Sequence, residues 1–204
     1  PDMVINCVNL QKTEEAFDEI MPYISDNCIV SDIASVKNGL ADYYKKSGKR
    51  FASTHPMFGP TFGNVRDLSK ENAIIISESD PEGKQFFHDL FNRVKLNIYE
   101  YTFQEHDQIT AYSLSTPFAS SLVFAACMKK IDAPGTTFRK HMEIAKGLLS
   151  EDDYLVSEIL FNPYTLKQIE SINQQLSYLT HIIKDRDYDE MVKFLRKLRE
   201  NIKS

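Results

Sequence analysis

Short apolar runs alternate with amphipathic stretches over the first hundred residues. The runs cover residues 3–10 (MVINCVNL), 28–33, 50–54, 73–77 (AIIIS) and 97–101. Short runs of this kind, bounded by polar or turn-forming residues, are typical of buried β-strands. The pattern therefore predicts five strands.

The amphipathic stretches between these runs predict helices. One helix is predicted over residues 13–23, a second follows residue 35 and ends before Gly48, and Asp80-Pro81 supplies an N-cap and a first-turn proline for a third that reaches about residue 92. Strand–helix alternation with short apolar strands predicts an α/β domain built on a doubly wound parallel sheet.

After residue 101 the strand pattern does not return. Thr102 and Glu105 form a capping box that opens a helix reaching about residue 130, and Pro117 within it predicts a kink. Further helices are predicted over residues 137–149, 151–161, 163–183 and 187–202. We therefore expect two domains, an α/β domain over residues 1–101 and an all-helical domain over residues 102–204.

Composition and charge narrow the class of protein. A chain of 204 residues with 42% hydrophobic content can bury a core, and its net charge of −5 argues against a nucleic-acid surface. Cys7, Cys28 and Cys127 lie in apolar runs without metal-ligand spacing, which indicates reduced thiols and no metal site. No run approaches transmembrane length and no signal-peptide pattern is present, so we expect a cytoplasmic protein without a membrane role.

Two short motifs follow neighbouring predicted strands. The first, DIASVK, contains Ser35 and Lys37, and the second, HPMFGP, begins at His55. Because parallel strands present their carboxyl ends at one edge of the sheet, we expect Ser35, Lys37 and His55 near that edge. Open α/β sheets bind their ligands there.

The pairing of an S-V-K turn with an H-P-M-x-G loop resembles the prephenate dehydrogenase family, oxidoreductases of tyrosine biosynthesis. Glu105-His106-Asp107 and the stretch GTTFRKHMEIAKGLLSEDD at 135–153 fit the helical half of that family. The resemblance implies a partial Rossmann-like α/β domain, followed by an all-α domain that carries substrate residues and forms a homodimer. The apolar stretch at 113–128 independently favours such an interface.

The resemblance also implies roles for single residues. His55 matches the family's catalytic histidine, which acts on the ring hydroxyl of the substrate, and a pKa near working pH suits this task. Ser35 matches the serine that hydrogen-bonds this histidine near the nicotinamide, and it is also a good helix N-cap. Lys37 is either a cofactor contact or a surface lysine of the first helical turn. The expected contacts of NAD or NADP are Val8, Asn9, Ser35, Lys37 and Pro56.

Prephenate carries two carboxylates, so its site should contain arginine or lysine. Arg139 is the first candidate, with Lys140 and Lys146 behind it. The chain departs from the family pattern one turn after Arg139, where many members have an arginine and this chain has Glu143.

A second departure lies at the predicted kink. Family members often show S-H-L-P-H around the proline, whereas this chain reads L-S-T-P-F from 114 to 118. The hydroxyl groups of Ser115 and Thr116 beside Pro117 are expected either to line a polar part of the substrate pocket or to pack between helices.

The glycine-rich fingerprint of a dinucleotide-binding domain is not found in the sequence. The seven glycines are scattered, and no two have the G-x-G-x-x-G spacing. Compared with the family, the chain would begin at the fourth strand, and we expect it to be a fragment of a longer protein. Residues 3–10 would then form an edge strand with partly uncovered faces.

The function implied by the resemblance is the NAD(P)-dependent oxidative decarboxylation of prephenate to 4-hydroxyphenylpyruvate. Arogenate dehydrogenase is the nearest alternative, because the departures at the kink affect substrate choice. A β-hydroxyacid dehydrogenase is a further alternative, but its lysine motif is not found. A non-catalytic dimerisation or regulatory module is the third, and the presence of Ser35 and His55 argues against it.

Overall fold

Five β-strands form a single sheet in the computed structural model, which describes residues 1–59 and 66–203. Their bounds are β1 Met3–Asn6, β2 Ile29–Asp32, β3 Phe51–Pro56, β4 Asn72–Ile76 and β5 Asn97–Tyr101. Each of the five apolar runs therefore overlaps a strand. Pro60, the last residue of the HPMFGP motif, lies outside the described residues.

The strands lie side by side in sequence order, and the sheet is mostly parallel. β1 pairs with β2, β2 with β3 and β4 with β5 in parallel, whereas β3 and β4 are antiparallel. The prediction of a doubly wound α/β sheet is confirmed, but the expectation that every strand is parallel is wrong, because β4 and β5 run opposite to β1, β2 and β3. Ala73–Ile76 are all fully buried, so their apolar pattern carries no information on strand direction.

His55 lies inside a strand rather than in the loop that the sequence predicted. β3 continues to Pro56, and His55 is paired with Ile74 of β4. The backbone N–H of Met57 then donates to the carbonyl of Asn72 at 2.8 Å, which extends the ladder by one bond. The backbone of His55 is therefore held by the sheet.

Nine helices are found in the described residues. Three belong to the α/β part of the chain: α1 Thr13–Ile20, α2 Leu40–Ser47 and α3 Pro81–Arg93. The remaining helices are α4 Phe103–Thr110, α5 Thr116–Cys127, α6 Thr136–Leu148, α7 Asp153–Leu160, α8 Thr165–Asp185 and α9 Tyr188–Lys203. The change from strands to helices falls after Tyr101, as predicted, and a domain division at that point stays a prediction.

Several helix ends follow the signals in the sequence. Gly48 ends α2 with a φ of 64°, a left-handed conformation that glycine adopts without strain. The Asp80 side chain caps α3, and the capping box of Thr102 and Glu105 is formed at the start of α4. The cap of α7 is Asp152, which accepts from Leu155 N, so this helix begins two residues later than predicted.

Apolar side chains cover both faces of the sheet. On one face Phe87 and Phe91 of α3 pack on Ile29 and Ile75, and on the other Phe17 of α1 joins residues of β2 and α2. β1 lies at one end of the sheet with Ile5 exposed, which agrees with the expected edge strand. The core is thus centred on β2, β3 and β4.

Gly83 allows α3 to approach the sheet closely. A Cβ atom at this position would lie 2.7 Å from Ala52 Cβ and 3.3 Å from Ile29 Cγ2. Both neighbours are fully packed core residues, so neither has room to retreat.

We expect Gly83→Ala to lower the free energy of unfolding by about 1–3 kcal/mol, because overpacking outweighs the roughly 1 kcal/mol gain in helix propensity. Gly135→Ala is the matched control, since a Cβ there meets no atom within 4 Å. Urea denaturation of both variants measures the difference. A Gly83→Ala variant as stable as the Gly135→Ala variant would contradict the close contact.

A π-helical turn interrupts the α-helix immediately before Pro117. Residues Ala111–Ser115 form a π-helical turn between α4 and α5, and Pro117 occupies the first turn of α5. The predicted kink therefore takes the form of one widened turn that absorbs the missing proline N–H. Ala111 and Ser115 are its buried residues.

Residues Phe103–Cys127 are long and apolar enough to cross a membrane by length and composition alone. This differs from the prediction that no run approaches that length. His106, Thr110 and Ser115 of this stretch are fully buried within the protein, whereas α5 has no fully buried residue. The fully buried residues of the stretch are thus mostly polar, and some of its apolar side chains, such as Val123, are exposed.

The chain divides into two compact units by its internal contacts, residues 1–165 and 166–204. In the second unit the ring of Tyr178 on α8 packs edge-on against Phe194 on α9, and its hydroxyl donates to Glu190. Ile182 is the buried apolar residue of this helical pair. The candidate site described below lies wholly in the first unit.

Candidate active site

A pocket of about 320 Å³ opens at the carboxyl ends of β2 and β3. Ser35 follows β2, and His55 and Pro56 are the last residues of β3. Pro117 and Phe118 of α5 line the pocket from the helical side, with further apolar side chains from α6 and α7. Two predicted site residues, Ser35 and His55, are thus brought to one pocket at the edge of the sheet where α/β proteins bind ligands.

A second pocket of about 240 Å³ lies beside the first and shares Ser35 and Leu155 with it. Val8 and Asn9, which follow β1, line this second pocket. The carboxylate-bearing Asp152 lies at its border with α7. Three residues that the resemblance assigns to the cofactor, Val8, Asn9 and Ser35, are therefore neighbours of one cavity, and Pro56 borders the other.

His55 is the end of a row of three polar side chains, in which the two imidazoles are buried and the Asp107 carboxylate is partly exposed. Its Nδ1 lies 2.9 Å from Nε2 of His106 on α4, and Nδ1 of His106 lies 3.1 Å from Oδ1 of Asp107. His55 is 4% exposed and His106 is fully buried. The Asp107 backbone carbonyl accepts from Asn162 Nδ2 at 2.9 Å, which ties this end of α4 to the segment after α7.

Burial keeps both imidazoles neutral. It lowers the pKa of His55 well below the usual value of 6.5, and the neighbouring His106 and the ammonium of Lys37 lower it further. Burial also lowers the pKa of His106, against the opposing effect of the Asp107 carboxylate. At neutral pH His55 therefore has one nitrogen that can accept a proton.

Lys37 is part of the protein interior and lines neither pocket. Its Nζ lies 2.5 Å from Asp32 Oδ1 and donates to the Thr54 carbonyl at 2.7 Å. Asp32 also accepts from the Tyr44 hydroxyl at 2.6 Å and from Ala34 N at 2.9 Å. Burial lowers the pKa of Lys37, and Asp32 opposes that shift. This position does not support the predicted cofactor contact of Lys37, and Lys37 is not a surface lysine.

Ser35 differs from its prediction in two respects. It is five residues before α2, whose N-cap is Gly39, so the expected capping role is wrong. The implied hydrogen bond between Ser35 and His55 is not found within residues 1–59 and 66–203, and Nδ1 of His55 bonds to His106 instead. The Ser35 side chain instead stands at the boundary of the two pockets.

The predicted carboxylate-binding residues do not reach the pocket. Arg139, Lys140 and Lys146 are exposed on α6 and line neither cavity, and Arg139 bonds to its own helix start at the Pro134 carbonyl and Thr136 Oγ1. Ser115 is buried and bonds to Thr165 Oγ1 at 2.7 Å, so it packs between helices. Thr116 also lines neither pocket.

Sequence reasoning missed three polar residues of the site: His106, Asp107 and Glu151. His106 and Asp107 entered the sequence analysis only through the Glu105-His106-Asp107 triplet of the resemblance, without a role at the site. His106 is 51 positions from His55, and no spacing rule joins residues that far apart. Glu151, a pocket-lining carboxylate, lies in the stretch 135–153 of the resemblance, and no role was predicted for it. Within residues 1–59 and 66–203, no three His, Cys, Asp or Glu side chains are grouped to hold a metal ion.

Comparison with known proteins gives the same family as the two motifs. Residues 1–97 match the family "Prephenate dehydrogenase, nucleotide-binding domain". The chain is 23% identical over 210 residues to a "Probable arogenate/prephenate dehydrogenase" of Methanocaldococcus jannaschii, covering 96% of this chain and 46% of that protein. It is 22% identical to a "T-protein" of Haemophilus influenzae, covering 98% of this chain and 55% of that protein. The chain thus spans about half the length of these relatives.

Solved structures share the fold at low sequence identity. A prephenate dehydrogenase from Aquifex aeolicus, in complex with hydroxyphenyl propionate and NAD+, superposes with a TM-score of 0.82 at 19% identity and covers 98% of this chain and 75% of that one. An arogenate dehydrogenase from Synechocystis superposes with a TM-score of 0.76 at 18% identity, covering 99% and 78%. The predicted architecture, a Rossmann-like sheet followed by helices, is confirmed.

Proposed function

We propose, on the premise that residues 1–97 match the nucleotide-binding domain of prephenate dehydrogenases, that the whole protein oxidises and decarboxylates prephenate to 4-hydroxyphenylpyruvate. The observation that carries the proposal is the position of His55. It is a buried, neutral histidine at the end of β3, and it lines a largely apolar pocket beside Ser35. A neutral imidazole in such a pocket suits the removal of a hydroxyl proton at neutral pH.

In this reaction His55 accepts the proton of the ring hydroxyl, and the ring carbon that carries this hydroxyl becomes a carbonyl carbon. Loss of the substrate's ring carboxylate then gives the aromatic product and carbon dioxide. Phe118 and Leu148 offer an apolar wall for the substrate ring. Ser35 lines both the pocket proposed for the substrate and the neighbouring cavity proposed for the cofactor.

The cofactor of the proposed reaction is NAD or NADP, which accepts the hydride when bound. The cavity lined by Val8, Asn9 and Ser35 fits its nicotinamide end, because it adjoins the His55 pocket at the carboxyl edge of the sheet. The similar Aquifex aeolicus structure contains NAD+, which supports a nicotinamide dinucleotide. The 204 residues contain no glycine-rich loop of the kind that binds the pyrophosphate of a dinucleotide.

Arogenate is the second candidate substrate, and the charge of the pocket favours it. Among the described lining residues Glu151 is charged and acidic, and none is lysine or arginine. Arogenate carries an ammonium group where prephenate carries a keto group, and a carboxylate at the pocket edge attracts that ammonium. The M. jannaschii relative is named for both substrates.

We further propose that the protein is a cytoplasmic homodimer formed through its helical part. Val123 and Met128 of the apolar stretch at 113–128 are about half exposed, at 58% and 45%, and a second copy would cover them. Light scattering at micromolar concentration is expected to give twice the mass of one chain. A mass equal to that of one chain under these conditions would contradict the proposed dimer.

Reduced-cofactor formation by the full-length protein tests the proposed function. The protein is given prephenate or arogenate, each with NAD+ or NADP+, and the absorbance of the reduced nicotinamide is followed. Turnover with prephenate supports the first proposal, and faster turnover with arogenate selects the second. A folded protein that binds cofactor but turns over neither substrate would overturn both and leave the non-catalytic module.

A further inference from the structure

Hydrogen-bonding chemistry determines which atom donates and which accepts at each contact of the row Asp107–His106–His55. An ionised carboxylate only accepts hydrogen bonds. The 3.1 Å contact of Asp107 Oδ1 therefore requires a proton on Nδ1 of His106. In a neutral imidazole the other nitrogen then carries no proton, so Nε2 of His106 is an acceptor.

The same logic passes to His55. Nε2 of His106 accepts across the 2.9 Å contact, so Nδ1 of His55 must carry the proton and donate. Neutral His55 is then left with a bare Nε2. The nitrogen left for a ligand in the pocket is thus a proton acceptor, fixed in that state by a carboxylate two side chains away.

We infer that His106 and Asp107 are positioning residues, which fix His55 in the tautomer whose Nε2 takes the substrate's hydroxyl proton. The inference rests on the proposed function for its catalytic part, but the tautomer itself is a property of the resting protein. A role of this kind explains why His106, a fully buried imidazole with no place in either pocket, is paired on both of its nitrogens.

The row also stabilises the charge that the proton transfer creates. The O–H bond of the substrate breaks, an N–H bond forms at His55 Nε2, and the imidazolium keeps its Nδ1 proton directed at His106. Asp107 stabilises this positive charge through His106. The buried ammonium of Lys37, itself paired with Asp32, opposes the charge and favours return of the proton.

The tautomers of the two histidines can be determined by NMR without a measurement of enzymatic activity. Histidine ¹⁵N shifts and long-range ¹H–¹⁵N couplings distinguish Nδ1–H from Nε2–H, and His55→Asn and His106→Gln variants assign the signals. At pH 7 to 8 we expect both His55 and His106 as the Nδ1–H form. An Nε2–H signal for His55 would overturn the inference, whatever reaction the protein catalyses.

Substitution of Asp107 tests the consequence for catalysis in the full-length protein. We expect Asp107→Asn to lower kcat by about 10²–10⁴-fold, with little change in KM, because the uncharged amide neither enforces the tautomer nor stabilises the imidazolium. Asp89→Asn on α3 is the matched control, an exposed aspartate bonded to Gln85. Equal kcat values for the two variants would refute the role of Asp107.

A pair of variants at His106 separates positioning from packing. The amide oxygen of His106→Gln can still accept from Nδ1 of His55, whereas His106→Leu fills the space without an acceptor. We expect the Gln variant to retain at least 10-fold more kcat than the Leu variant. Equal loss in two folded variants would assign His106 to packing alone. If the wild-type protein turns over no substrate, the proposed function fails while the ¹⁵N measurement still decides the tautomer.

Discussion

Replacing His55 by asparagine is expected to lower kcat by about 10²–10⁴-fold, the contribution typical of a positioned acid or base. Asparagine keeps much of the volume, and its amide nitrogen can still donate toward Nε2 of His106, which His55 contacts at 2.9 Å. What is lost is the second nitrogen, which receives the proton. Steady-state rates with the preferred substrate and cofactor measure the effect.

His88→Asn is the control for this variant, because His88 pairs with Glu100 on the far side of the sheet and lines neither pocket. Its kcat should equal that of the wild-type protein. Circular dichroism and cofactor titration show whether the His55→Asn variant is folded and binds cofactor. A folded variant that binds cofactor and retains full kcat would exclude His55 as the base.

The pH profile follows from the same residue. The base must be neutral to act, and the pKa of His55 is lowered well below 6.5 by burial and by its neighbours His106 and Lys37. As pH falls, the neutral form of His55 thus persists below pH 6.5. The acid limb of kcat/KM is therefore expected below about pH 6.5. An acid limb above pH 7 would contradict this burial.

Replacing Lys37 by methionine is expected to lower the free energy of unfolding by about 3–5 kcal/mol, the usual cost of removing one partner of a buried ion pair. The Lys37–Asp32 pair is 0% and 1% exposed, so Asp32 would be left with only the Tyr44 hydroxyl and the Ala34 N–H as donors. Methionine fills the space of the lysine stem, so the loss reports on charge rather than on a cavity. Urea denaturation at pH 7 gives the value.

Lys12→Met is the matched control, because Lys12 forms an ion pair with Glu15 in which both side chains are more than half exposed. Its effect should be small, as is usual for exposed pairs. The double variant Asp32→Asn with Lys37→Met should recover part of the loss, since no charge is then left without a partner. A Lys37→Met variant no less stable than Lys12→Met would show that the ion pair does not stabilise the fold.

The sequence was most informative where one residue alone determines the local structure. Gly48 has no Cβ and ends a helix in a left-handed conformation, and Asp80 caps a helix with its own side chain. The five apolar runs likewise predicted five strands, because each run is buried in the sheet core at least in part. Each of these signals is local, so no knowledge of distant residues was needed.

The sequence was least informative where two distant segments meet. The direction of β4 is set by its neighbours. The apolar run AIII within this strand is compatible with either direction. The contact of His55 with His106 depends on α4 crossing the carboxyl end of β3, which no spacing encodes. Basic residues such as Arg139 were expected in the pocket from substrate chemistry alone. In the structure they lie on the part of α6 that does not line the pocket.

The widened turn at Ala111–Ser115 makes the length of this segment more important than its composition. Successive residues of a helix are about 100° apart around its axis, so deleting one residue here would rotate all of α5 by that angle. Pro117 and Phe118 would leave the pocket wall, while His106, which precedes the turn, would keep its place beside His55. The turn therefore separates His106 from the pocket-lining residues of α5, and the pocket-lining end of this segment can change by substitution but not by a change of length.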